Sequence, residues 1–118
     1  MQGGRFMQVG RLENVAPAEI LEKGIKDVGM KVVISEVDGA PNFVMRVFEI
    51  EPGGHTPYHT HDWEHEIYVL EGTGVVRQGD EEHPLTKDSF ALIVPGEEHQ
   101  FINKGDDVFR FVCVVPKR

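Results

Sequence analysis

The chain has 118 residues and a mass of 13.3 kDa, enough to bury one core and too little for two. Its 40% hydrophobic and 27% charged residues exclude a disordered chain. A formal net charge of −8, with twelve scattered Lys and Arg, excludes a nucleic-acid or anionic-membrane surface, since both need clustered bases.

Taken in order, MQGGRFMQVGRLE at the N-terminus has no apolar h-region, and nowhere do 18 apolar residues run together. A cytoplasmic protein with no membrane partner is expected. Residues 1–30 read as a lead-in belonging to the same domain as a barrel over 31–118. Within the lead-in, PAEILEK (17–23) has Pro at its start and Gly24 after its end, which predicts a short helix. From there the apolar runs are short and rich in Val, Ile and Phe: 30–37, 42–51, 65–72, 73–79, 90–95, 98–103 and 108–116. Turn signals such as Asp38-Gly39, Pro52-Gly53-Gly54, Gly79-Asp80 and Pro95-Gly96 separate them. Many short strands with little helix predict an all-β antiparallel sandwich or barrel. His83, in GDEEHPL, is expected on an exposed hairpin loop. The single cysteine, Cys113, lies in FVCVVP and reads as a small buried hydrophobe.

Four of the six histidines fall in GGHTPYHTHDWEHEIYVLEG, residues 53–72. His59 and His61 are two apart, so an extended backbone points both to one face. Imidazoles projecting together into a barrel interior are costly without partners, and a metal ion bound through one nitrogen of each removes that cost. His65 opens the next apolar strand, and His99 follows a Pro-Gly turn where a neighbouring strand can return it to the cluster. His55 is expected on an exposed loop. Tyr58 could line the pocket mouth, and Trp63 could wall the site.

These residues resemble two motifs of the cupin superfamily, in particular its small single-domain members. Gly53, five residues, His59-Thr60-His61, three residues, His65, six residues and Gly72 follow the first motif, with His where the family usually has Glu. Gly96, two residues, His99, three residues and Asn103 follow the second, with Asp88 in place of its first glycine and Val94 in place of its proline. Allowing four residues instead of three would make Glu66 the acidic ligand. Counting six on from His65 reaches Gly72, whereas counting from Glu66 reaches Thr73, which favours His65. HTHDWEHEIYVLEG is further similar to small bacterial and archaeal cupins with four-histidine sites that bind manganese or a related divalent ion.

The resemblance implies a double-stranded β-helix, or jelly-roll barrel, paired as a homodimer. His59, His61, His65 and His99 would hold one divalent transition metal per subunit: manganese first, with iron, nickel, zinc or copper admitted by all-nitrogen ligation. Four neutral ligands leave such an ion near +2, a stronger Lewis acid than a three-His, one-carboxylate site. Glu64, Glu66, Glu97 and Glu98 read as solvated loop charge, and the cavity is expected to be lined by residues such as Phe48, Ile50, Ile67, Phe101 and Phe109. The leading functional expectation is a metal-dependent oxidoreductase, dioxygenase-like, acting on a small organic molecule. A non-redox isomerase or lyase of the same fold, and a non-catalytic small-molecule binding module, are the alternatives.

Overall fold

The computed structural model describes residues 7–117; the first six residues of the expected lead-in lie outside them. Eight strands form one antiparallel sheet curled into a nearly closed barrel: β1 (Lys26–Ile34), β2 (Phe43–His55), β3 (His65–Glu71), β4 (Gly74–Gln78), β5 (Glu81–Leu85), β6 (Phe90–Ile93), β7 (Gln100–Ile102) and β8 (Phe109–Pro116). Their order across the sheet is β5-β4-β7-β2-β8-β3-β6, with β1 paired to β2. Helix is confined to 3-10 turns at Leu12–Asn14 and Glu36–Asp38, so the all-β jelly-roll expectation holds.

Alternation builds the interior. Along β8, Phe109, Phe111, Cys113 and Val115 are buried while the residues between them are half-exposed. Along β3, His65, Ile67 and Val69 are buried while Glu66 and Tyr68 are exposed. Period-two patterning of this kind fixes register, because a one-residue slip would move the whole apolar set into water. The core joins Ile50, Val69, Phe109 and Phe111, all almost fully buried. Asn103 closes one end. Its side-chain amide donates to the Ile50 and Asp107 carbonyls, both at 2.8 Å, and its Oδ1 accepts from Gly105 N at 2.8 Å.

Two expectations about local structure change. Residues 17–23 are not helical: they run without regular structure into a turn at Lys23-Gly24, with Ala18 N bonded to Met30 O at 2.8 Å. The lead-in, expected as part of the same domain, carries the start of β1 and a segment laid over the opening. Residues 81–85, read as loop, form β5, paired with β4 through a turn at Gly79-Asp80; His83 lies on that strand and is exposed.

Candidate metal centre

Three backbone devices bring the imidazoles together. His59 and His99 exchange backbone hydrogen bonds at 3.1 and 3.0 Å, which couples the first histidine segment to the start of β7. Gly96 N donates to His61 O at 2.7 Å, tying the Pro95-Gly96 turn to the same segment. His65 enters from β3, opposite Ile93 of β6. As a result, ring nitrogens of His59, His61 and His99 lie within 4.8 Å of one another, a three-histidine cluster able to coordinate a metal ion. His65 stands beside this set, its ring 4.9 Å from that of His61 and 5.2 Å from that of His99. Glu66 is exposed on the opposite face of β3.

Three of the outer nitrogens have partners. His59 Nδ1 meets Glu22 Oε2 at 3.1 Å, His99 Nδ1 meets the Glu97 carbonyl at 2.9 Å, and His65 Nδ1 meets Cys113 Sγ at 3.3 Å. A carboxylate or carbonyl at Nδ1 fixes the proton there and leaves the Nε2 lone pair free. The inner nitrogens are less well provided for. His59 Nε2 and His61 Nε2 face each other at 3.2 Å, and His65 Nε2 is buried with no hydrogen-bond partner among the described residues. An orphaned buried nitrogen costs about 1–3 kcal/mol, and a cation accepted by inward lone pairs removes that cost. The residues fit a divalent metal.

Electrostatics point the same way. Burial, followed by repulsion from His59 and His99, lowers the His61 pKa to about 4. Burial, followed by His99 and Arg46, lowers that of His65 to about 3. Burial also lowers His99, against the opposing pull of the Glu97 carbonyl. Neutral imidazole is the form that binds metal.

The cluster opens into a cavity of about 290 Å³. Its apolar walls include Phe48, Phe101, Phe111 and Trp63, the last stacked on His61 with ring centres 4.4 Å apart. Ile20, Glu22 and Ile25 close it from the N-terminal segment. Of the expected lining residues, Phe48 and Phe101 face the cavity; Ile50, Ile67 and Phe109 belong to the packed core. Tyr58 turns away, accepting a bond from Gly79 N at 2.9 Å beneath the Arg77 guanidinium. His55 ends β2 half-buried beside Gln100 instead of lying on an exposed loop. Sequence reasoning missed Glu22, Cys113 and Arg46. Only for the last two was there a signal, the strand alternation that turns them inward.

A small antiparallel barrel with imidazoles converging on its interior defines a candidate metal-binding β-barrel protein. The chain belongs to the cupin domain family (Cupin_2), whose profile matches residues 46–115. Among solved structures it is similar to the polyketide cyclase RemF from Streptomyces resistomycificus, with 34% identity and a TM-score of 0.90 over 96% of this chain and 81% of that one. A predicted oxalate decarboxylase from Thermotoga maritima is 25% identical, with a TM-score of 0.81 over 94% of this chain and all of that one (100%). A curated relative, 1-methylthio-D-xylulose 5-phosphate methylsulfurylase from Rhodospirillum rubrum, is 30% identical over 71 residues. That match covers 60% of this chain and 46% of the relative, so the chain spans about half of that protein's length.

Proposed function

We propose that the protein is a metal-dependent enzyme that performs non-redox carbonyl chemistry on a small organic molecule, in the manner of a cyclase. His59, His61, His65 and His99 hold one divalent first-row ion through Nε2, manganese being the member suggested by HTHDWEHEIYVLEG. The observation that carries the four-histidine reading is the buried, unpartnered Nε2 of His65 next to the three clustered rings. The near full-length likeness to a polyketide cyclase favours cyclisation over the oxidation expected from the sequence.

A bound ion would supply Lewis acidity toward a carbonyl oxygen. The protein supplies the rest. Phe48, Phe101, Phe111 and Trp63 enclose the substrate body and exclude water. Among the described residues, Glu22 is the only carboxylate lining the cavity, and it takes the proton from carbon next to the carbonyl. Its hydrogen bond to His59 keeps it aimed at the site.

The test pairs elemental analysis of the purified protein with turnover of a linear aromatic poly-β-ketone under air and under nitrogen. We expect one metal per subunit, much reduced in His65→Ala, and equal cyclised product in both atmospheres. Metal retained in full by His65→Ala would remove that residue from the ligand set. Strict dependence on dioxygen would restore the oxidoreductase reading.

A further inference from the structure

The inward row of β2 carries Val44, Arg46, Phe48 and Ile50, so one guanidinium interrupts an otherwise apolar stripe. Arg46 pairs in register with Cys113 of β8 and Val32 of β1, which places it at mid-barrel, and it lines the same cavity as the histidines. Arg46 is half-buried with its Nε atom withdrawn from water, and a cation so placed normally gains from a carboxylate. Among the described residues none forms an ion pair with it. The one lining carboxylate, Glu22, is bonded to His59. Arg46 makes a single hydrogen bond among the described residues, from Nη2 to Cys113 Sγ at 3.2 Å. Its Nε is buried with no partner, and the guanidinium rests over the Phe48 ring, 5.2 Å from the ring centre.

From this we infer that Arg46 is the substrate-recognition residue of the cavity, and that the substrate is a small organic acid: a carboxylate seated on Arg46 with an aromatic or other planar body among Phe48, Phe101, Phe111 and Trp63. The inference rests on the reading of this cavity as the substrate site and adds to it the substrate's charge. A planar guanidinium matches a carboxylate through paired N–H donors, which a lysine cannot reproduce. An arriving carboxylate relieves the unpaired cation, whereas a neutral analogue leaves it unpaired and loses affinity. A cavity of about 290 Å³ suits a one- or two-ring acid.

Trp63 is the only tryptophan in the chain and lines the cavity, so its fluorescence reports occupancy. The experiment titrates 1-naphthoate and its neutral isostere 1-naphthamide into the metal-loaded protein as purified and into the chelator-stripped protein. Metal content is measured alongside. We expect naphthoate to bind at least tenfold more tightly than the amide in both forms. We expect Arg46→Met to abolish that preference with its metal content unchanged, and Arg46→Lys to keep a reduced preference. Arg46→Lys also provides the answer if Arg46→Met fails to fold: a Lys variant as selective as the parent overturns the role of the planar guanidinium. A preference that survives in Arg46→Met, or one that vanishes on stripping the metal, would assign anion recognition to the ion and overturn the inference while leaving the metal site intact. Equal binding of acid and amide, or no binding of naphthoate at millimolar concentration, would overturn it as well. Failure of the metal reading would appear separately, as protein that carries no metal.

Discussion

Three imidazoles of the centre have one nitrogen committed outward, and the quality of those outer contacts differs. His59 rests on a carboxylate, His99 on a carbonyl and His65 on a thiol. Outer partners of this kind commonly govern metal affinity by 10–100-fold. Glu22→Gln should therefore weaken metal binding by roughly tenfold with the three-histidine cluster unaltered, as measured by competition with a chromophoric chelator. A second expectation concerns protons. The unfolded chain protonates its histidines near 6.5, whereas the folded chain holds His61 near 4 and His65 near 3. Between those values the unfolded state binds more protons, so stability rises with pH across the window. The urea midpoint of metal-free protein should be level above pH 6.5 and fall steadily as the pH drops toward 4 and then 3. A midpoint unchanged from pH 7 to pH 4 would contradict the neutral-imidazole assignment. At this scale the meeting of His59, His61 and His99 was legible, because motif spacing encodes it, and strand alternation turned His65 inward. Glu22 was not legible: its contact spans 37 positions and belongs to a segment that local signals make helical.

At the level of elements, two positions explain spacings that the motifs only count. Gly72 has φ +79°, and a Cβ there would sit 2.2 Å from the Val108 carbonyl oxygen. Backbone cannot yield that distance cheaply, so Gly72→Ala should destabilise the fold by at least ~2 kcal/mol in chemical denaturation. Asp88 occupies the motif position of a glycine and keeps the glycine-like conformation, φ +71°. Asp tolerates that region better than most side chains. Its Oδ1 also accepts a bond from Tyr68 Oη at 3.1 Å, which ties the turn to β3. Asp88→Val should lower stability by about 1–2 kcal/mol, while Asp88→Asn should stay close to the parent. The strands from β2 onward were readable from apolar runs and turn residues, except β5, where EEHPL offers hardly any apolar face and is held by register with β4. The helix expected over 17–23 fails for a related reason. Seven residues are too few to hold a helix unaided, and the bond from Ala18 to Met30 with Ile20 at the cavity favours a non-helical path along the barrel.

Considered whole, the molecule presents an exposed apolar face along one edge of the sheet. Tyr68, Phe90 and Leu92 are exposed on β3 and the edge strand β6, Phe90 by 80%, beside Val112 and Val114 of β8. Edge strands and patches of this sort are commonly buried by a second copy. Sedimentation equilibrium should give about twice 13.3 kDa, and Phe90→Glu should shift the mass toward one chain without reducing metal content. Among the described residues, no helix is long and apolar enough to cross a membrane.

The irregular run before β1 has a consequence for how such a protein can change. It supplies Ile20, Glu22 and Ile25 to the cavity, yet among the described residues it forms no strand ladder and meets the barrel through single bonds at Leu12, Ala18 and Glu22. Substitutions there alter the shape and charge of the opening while the strands that carry the histidines keep every pairing. Part of the cavity rim is thus carried outside the paired strands, while Arg46 and the aromatic walls stay on them. A lineage can redraw the rim by changing this run alone, and grafting it between relatives should alter access to the cavity while the preference for an acid stays with Arg46.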